Sequence, residues 1–326
     1  MGGRSPKLSP TLSRATAVQL VVTCAKAKRG AIPLVRHLRS IRQASVTRAA
    51  ATWIHRLEAA KGESVLAADL YYGDHWRAAS DAAAIATSSG GRAWVCSAGY
   101  GLVPLDARVQ PYSATFTSAD PDTVLRFHTS TKESVESVWW EALANWEGPT
   151  AGSPRRVATL AARFPTDLLV VAVSEPYLRA LTPDLLATRA ALASPDRLLI
   201  LCGGAPDDHP LSDNLLRWDP RAQIVEGAMA SMNARVVRRL LRELPAERLS
   251  MVSARKQIAS WATSAAPRLR PERMRVSDTE IREFIRDRFS AGAVASPSGL
   301  HREFREAGLA CERLRFLSLF RSVLEE

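Results

Sequence analysis

Side chains that could do chemistry gather in one segment directly after a short apolar run. Residues 92–96 predict a buried strand, and ligands collect at the carboxyl ends of such strands in open α/β sheets. The segment offers hydroxyl groups, a carboxylate that could act as an acid, a base or a cation stabiliser, and glycines that admit a flat ligand close to the backbone. These residues are Ser97, Gly99, Tyr100, Gly101, Asp106 and, slightly later, Tyr112. The alternative is a tight turn with two packed tyrosines.

A second dense cluster stands at residues 71–76. Tyr72 and Gly73 precede Asp74 and His75, which could face a site and supply a carboxylate and a proton donor. Asp74 could instead cap the helix that begins at His75, because an aspartate accepts hydrogen bonds from the free amides of a first turn. Both interpretations remain open.

These segments resemble a known family. Residues 97–102, 105–106 and 110–112 are similar to the signature block of the YaaA (peroxide-stress) family, residues 69–73 to its D-x-Y-x-G element, and residues 173–177 to its S-x-E-Y segment. The resemblance covers about residues 18–205. It implies an α/β domain associated with DNA binding and nucleobase chemistry, including that of anti-phage DNA glycosylases that remove glucosylated hydroxymethylcytosine.

Cleavage of a glycosidic bond needs a carboxylate near the sugar and a donor near the leaving base. The carboxylate candidates are Asp74, Asp106 and Glu175, and the donor candidates are His75, Lys26 and Tyr100. The pairing among them stays open. The predicted catalytic residues are Asp74, Asp106, Glu175 and Tyr100. The predicted substrate-binding and DNA-binding residues are Lys26, Lys28, Arg29, Tyr72, Gly73, His75, Ser97, Gly99, Gly101, Tyr112 and His209.

His209 belongs to a short segment, residues 209–212, that is similar to part of the H-P-S-P-L-S loop of uracil-DNA glycosylases. The companion G-Q-D-P-Y-H motif of that family is absent after the first apolar run, where residues 23–26 read Thr-Cys-Ala-Lys. We therefore favour a surface turn rich in Gly, Pro and Asp for this segment.

Charge and composition favour nucleic acid as the partner. Among 326 residues, 44 are Lys or Arg and 33 are Asp or Glu, which gives a formal net charge of +11. No apolar run reaches the ~18 residues that span a membrane, and residues 1–14 lack the features of a secretory signal, so we expect a cytoplasmic protein. Four separated cysteines form neither a disulfide framework nor a zinc pair, and phosphate-loop, dinucleotide and hydrolase motifs are missing. We expect no cofactor and no metal.

Apolar runs alternate with stretches of helical period, which is typical of an α/β fold with a mainly parallel sheet. The runs are residues 18–24, 92–96, 167–174 and 197–202, and the helical stretches lie near 42–60, 74–87, 132–147 and 177–193. We divide the chain into a flexible tail (1–15), an α/β domain (16–245), a connection rich in Arg and Pro (246–275) and a helical module (276–326). The module resembles a helix-turn-helix around Gly308, an arrangement that also occurs in bundles that touch no DNA.

The predicted function is that of a DNA glycosylase that hydrolyses the N-glycosidic bond of a modified base in phage double-stranded DNA. A non-catalytic DNA-binding stress protein and a base-exchanging transglycosylase are the alternatives. An open pocket with two or more carboxylates near Tyr100 would favour the enzyme, and a pocket filled by side chains would favour the binding protein.

Overall fold

The computed structural model describes residues 17–60, 62–220, 223–267, 273–290 and 296–325. None of the helices in this part of the chain is long and apolar enough to cross a membrane. The chain divides into two compact units, Met1–Pro267 and Arg268–Glu326. The predicted tail, residues 1–15, lies outside the described residues.

The first unit is built on a six-stranded sheet in the order β4-β3-β1-β6-β7-β8. All neighbouring strands run parallel except β4, which forms an antiparallel hairpin with β3. A small second ladder joins β2 to β5. The strands are β1 (Val18–Thr23), β2 (Val65–Leu66), β3 (Arg92–Ser97), β4 (Gly101–Pro104), β5 (Arg108–Val109), β6 (Leu168–Ala172), β7 (Leu198–Leu201) and β8 (Leu215–Leu216).

Helices cover both faces of this sheet. They are α1 (Val46–Glu58), α2 (Ala67–Leu70), α3 (Asp74–Ser88), α4 (Val135–Asn145), α5 (Val157–Arg163), α6 (Glu175–Ala191), α7 (Met232–Glu243) and α8 (Met251–Ser264). Helix α3 packs on α7 and on β1 and β3, whereas α1, α4, α5 and α6 pack on one another. The connection through α3 leads from β1 to β3, and the connection through α6 leads from β6 to β7, in the opposite direction across the sheet. Because both crossovers are right-handed, these two helices lie on opposite faces of the sheet.

Burial explains why the apolar runs became the central strands. Every residue of β1, β6 and β7 is buried, as expected for parallel strands covered by helices on both sides. The predicted α/β class with a mainly parallel sheet flanked by helices is confirmed.

The boundary of the first unit differs from the prediction. Residues 246–264 form a 3₁₀ turn and α8, whose Ile258 and Trp261 belong to the main hydrophobic core. This segment is therefore part of the first unit and not a connection. The prolines at 245 and 267 lie on either side of a packed helix, and prolines so spaced are also typical of a linker.

The second unit has its own small core. It contains β9 (Met274–Arg275), α9 (Asp278–Ser290), α10 (Pro297–Glu306), β10 (Leu309–Ala310) and α11 (Arg313–Glu325), and β9 pairs with β10 in parallel. Ile281, Ile285, Phe304 and Phe316 are fully buried in it. Ser277 and Glu280 form the predicted capping box at the start of α9.

Candidate functional site

An open cavity lies at the point where the direction of strand addition reverses. From β1 the chain adds β3 on one side and later β6 on the other, so β1 and β6 flank a topological switch point, where ligands bind in open α/β sheets. A cavity of about 450 Å³ opens at the carboxyl ends of these two strands. We call it the switch-point cavity. Its lining consists of residues 23–27, Tyr72, Asp74, His75, Ala114, Thr115, Thr117, Ser174, Pro176, Tyr177, Ala230 and Asn233.

Asp74 carries the negative charge of this cavity. Its carboxylate accepts two hydrogen bonds from the guanidinium group of Arg235, one of them at 3.1 Å. It also accepts a hydrogen bond from the Ser231 hydroxyl at 2.5 Å. The Arg235 and Ser231 hydrogen bonds hold the pKa of Asp74 below its ordinary value. The carboxylate is therefore ionised at neutral pH and fixed in orientation. Arg235 and Ser231 were not predicted, because they come from the start of α7, far along the chain.

His75 is a partly buried, hydrogen-bonded side chain. Its Nε2 lies 3.0 Å from the Thr23 carbonyl oxygen, so this nitrogen carries the proton and donates it. Burial lowers the pKa of His75. The neutral imidazole links the first turn of α3 to the end of β1 and is not a free acid at the cavity.

Lys26 and Tyr72 stand at the exposed side of the cavity. The Lys26 side chain is 79 % exposed and forms an ion pair with the buried Asp120. Tyr72 is 49 % exposed. Gly73 follows with a φ of +97°, a left-handed backbone conformation that lets α3 begin directly at Asp74. Arg29 is exposed in the loop after β1, and its amide donates to the Leu70 carbonyl.

A buried network of hydroxyl and thiol groups forms the floor. The Tyr112 hydroxyl bonds Ser97 at 2.6 Å and Tyr71 at 3.1 Å, and it lies 3.5 Å from the Cys24 sulfur. Cys24 also lies 3.2 Å from the Tyr177 hydroxyl. Burial raises the pKa values of all three tyrosines well above 10, so their hydroxyls are protonated at neutral pH. Ser97 and Tyr112, predicted to bind substrate, support the cavity from below.

Lys28 lies beside this floor. Its Nζ donates to the carbonyls of Ala25 and Lys26, both at 3.2 Å, and sits 4.3 Å from the centre of the Tyr112 ring. Burial lowers the pKa of Lys28. This lysine braces the loop after β1 and is not part of the cavity lining, so its substrate contact stays a prediction.

Asn233 joins the strand ends to α7. Its side-chain amide donates to the Val173 carbonyl at 2.7 Å, and its oxygen accepts from Trp218 at 2.8 Å and from the Gly203 amide at 3.2 Å. One partly buried amide thus fixes the ends of β6 and β7 on the first turn of α7. Like Arg235, it was missed because local patterns carry no signal for so distant a contact.

The loop after β3 is a packed turn. Ser97 Oγ accepts the amides of Gly99 and Tyr100 at 3.1 and 2.9 Å, and Gly99 leaves room for the Tyr112 ring, where a Cβ would clash. Gly101, at φ +71°, starts the β4 hairpin. Gly99 and Gly101 therefore do not line the switch-point cavity, where the prediction had placed a ligand. These glycines admit protein side chains instead.

Tyr100 and Asp106 are likewise not part of the switch-point cavity. Tyr100 is 4 % exposed, accepts from the Gln110 amide at 3.1 Å and borders a separate cavity of about 260 Å³. Strand β4 runs antiparallel to β3, with Pro104 opposite Trp94, and so carries Asp106 toward the other end of the sheet. This hairpin was taken for a loop at the strand end, so both residues lie outside the switch-point cavity, and their catalytic roles stay predictions.

Glu175 and His209 also face elsewhere. Glu175 begins α6 between two residues of the cavity lining, but its carboxylate accepts from Arg179 at 2.7 Å and lies beside Gly204. His209 contacts Thr182 at 3.1 Å and accepts the Leu211 amide at 3.2 Å, within a turn. These two catalytic and binding predictions are not supported, and the surface-turn interpretation fits residues 209–212.

The four predicted residues brought together are Lys26, Tyr72, Asp74 and His75. No family model, curated protein or solved structure matches this chain. Its function is therefore inferred from the chemistry that the cavity itself offers.

Proposed function

We propose that this protein is a DNA glycosylase that hydrolyses the N-glycosidic bond of a modified base in phage DNA and leaves an abasic site. The observation that carries the proposal is the fixed, ionised carboxylate of Asp74 facing the switch-point cavity. The cavity volume of about 450 Å³ lies in the range of small-molecule sites, which span roughly 300–1,000 Å³. The cavity is open rather than filled by side chains, which supports an enzyme, although among the described residues it is lined by one carboxylate instead of two and Tyr100 lies outside it.

The charge of Asp74 suits an oxocarbenium-like transition state. As the C1′–N bond breaks, positive charge develops on the sugar, and a fixed carboxylate stabilises it. A water oxygen then bonds to C1′ and releases its proton to solvent. The base nitrogen takes a proton from the Lys26 ammonium, which solvent reprotonates. Since the pKa of Asp74 is lowered, its part is electrostatic rather than that of a strong base.

The surroundings of the cavity suit a flipped nucleotide. Helices α3, α6 and α7 each point their amino-terminal ends at it, because Asp74, Ser174 and Asn233 all line it. The dipoles of these helices attract a phosphate. Tyr72 offers an exposed ring on which an extruded base can stack. The formal charge of +11 attracts the DNA backbone, and a cytoplasmic setting with anti-phage defence as the role belongs to the same proposal.

An Asp74→Asn variant tests the proposal, with Asp81→Asn as a matched control. Both aspartates lie on α3 with side chains 41 and 40 % exposed, and both pair with an arginine of α7, but Asp81 does not line the cavity. The substrates are phage DNAs with unmodified, hydroxymethylated and glucosylated cytosine, and an aldehyde-reactive probe counts abasic sites. We expect abasic sites on one modified DNA, about 100-fold fewer with Asp74→Asn, and unchanged numbers with Asp81→Asn.

Three outcomes would overturn this assignment. If the wild-type protein binds these DNAs without forming abasic sites, it acts as a binding protein. If base release depends on an added free base, the reaction is an exchange and not a hydrolysis. Equal losses in both variants would mean that Asp74 serves only the contact between α3 and α7.

A further inference from the structure

Arginines of the second unit gather in two adjoining concavities. One has a volume of about 680 Å³ and the other of about 480 Å³, and both are lined by Arg273, Arg305 and Arg313. We call this surface the arginine groove. Its arginines are Arg273, Arg275, Arg302, Arg305, Arg313 and Arg315.

The fold of the unit brings these side chains together. The parallel ladder pairs Arg275 with Ala310 and so places β9 next to the connection between α10 and α11. Arg305 lies in the last turn of α10, and Arg313 begins α11. Arg273 Nε donates to the Arg305 carbonyl at 3.1 Å, which fixes β9 against the end of α10. The groove is thus built from three elements.

The positive charge of the groove is only partly balanced. Glu306 and Glu312 are the acidic residues of its lining within the described part of the chain. Arg315 pairs with Asp278 at 2.6 Å. Among the described residues, the guanidinium groups of Arg275 and Arg305 have no hydrogen-bond or ion-pair partner. Converging like charges raise the free energy of the unliganded surface, and a polyanion removes this cost.

The residue types favour phosphate groups in a row. Guanidinium groups match the geometry of phosphate oxygens in a bidentate manner. The two concavities lie side by side, so the arginines can contact several successive phosphates. Single-stranded nucleic acids are held by stacking on aromatic rings, and His301, the ring in the lining, is buried and bonds the Cys311 carbonyl at 3.0 Å. We propose that the arginine groove binds the sugar-phosphate backbone of duplex DNA.

This binding site is separate from the proposed chemistry of the first unit. Binding at the arginine groove requires no modified base, so we measure it on unmodified DNA. The result then does not depend on whether the protein releases a base. A failure of the glycosylase proposal and a failure of this one therefore give different observations.

The test compares two double variants of the full-length chain. Arg275→Gln with Arg305→Gln removes two charges from the groove, and Arg282→Gln with Arg321→Gln removes two charges from elsewhere in the same unit. Fluorescence anisotropy of a labelled unmodified duplex is followed against salt concentration. We expect the groove variant to bind about tenfold or more weakly at low salt, and its slope of log K against log salt to fall by about 2, since each phosphate contact contributes ~0.9. The control variant should retain the wild-type slope.

Three results would overturn the proposal. Equal weakening in both double variants would show that only the total charge matters. Tighter binding of a single strand of the same length would exclude the duplex as the ligand. Loss of binding to anionic lipid vesicles in the groove variant, with unchanged binding to the duplex, would identify a membrane surface instead.

Discussion

At the scale of single residues, His75 gives the stability of the protein a defined pH dependence. Burial lowers its pKa, while in the unfolded chain it takes up a proton near 6.5. The stabilising contribution is therefore fully present above pH 6.5 and is lost as the pH falls through the lower pKa of the folded state. We expect the free energy of unfolding to fall below pH 6.5 by up to about 1.4 kcal/mol per pH unit from this residue.

Urea unfolding between pH 5 and 8 checks this expectation. His75→Gln keeps a donor for the Thr23 carbonyl but cannot titrate, so its stability should depend less on pH than that of the wild type. His55→Gln, at an exposed position on α1, controls for the effect of the substitution itself. The same pH dependence in His75→Gln and wild type would contradict the assignment of the proton uptake to His75.

At the scale of elements, some parts of the fold can be predicted from local sequence patterns and others cannot. Strand β6 could be predicted because a strand buried on both faces is a continuous apolar run. The hairpin strand β4 escaped because it has only 4 residues and ends at a proline. Because β4 was not predicted, Asp106 was expected at the carboxyl end of β3, whereas it lies toward the opposite end of the sheet. The contact between Asp74 and Arg235 joins residues 161 apart, a pairing that no local period encodes.

Helix α5 shows how one element depends on another. It has 7 residues, and its own N-cap residue, Arg156, makes no side-chain cap. Asp184 of α6 caps it instead, accepting the amides of Val157 and Ala158, each at 2.9 Å, and the Trp140 indole at 3.1 Å. Since Asp184→Ala leaves three donors without an acceptor, two of them buried and one partly buried, we expect it to lower the free energy of unfolding by about 3 kcal/mol.

Denaturation followed by tryptophan fluorescence measures this loss. Asp184→Asn keeps one acceptor oxygen and should restore part of the stability, while Asp196→Ala, at an exposed position, should cost under ~0.5 kcal/mol. If Asp184→Ala were as stable as Asp196→Ala, α5 would not need the cap from α6.

At the scale of the whole molecule, the two hydrophobic cores have no residue in common within the described part of the chain. The second unit spans residues 268–326, and a domain of about 60 residues is only marginally stable by its own core, at ~3–5 kcal/mol. All 8 tryptophans lie at or before residue 261. Tryptophan fluorescence therefore reports on the first unit, whereas far-ultraviolet circular dichroism reports on both.

Phe304→Ala separates the two units experimentally. Phe304 is fully buried and contacts the rings of Phe284 and Phe316, with centroids 5.0 and 5.3 Å away. Its truncation costs about 3–5 kcal/mol, which is as much as so small a core supplies. We expect the full-length variant to lose helical signal in circular dichroism at 25 °C while its fluorescence midpoint in urea stays at the wild-type value. Leu160→Ala, in the core of the first unit, should instead shift the fluorescence midpoint. If Phe304→Ala lowered the fluorescence midpoint, the units would unfold together, because a defect in the second core would then lower the stability of the first unit, which the tryptophans report.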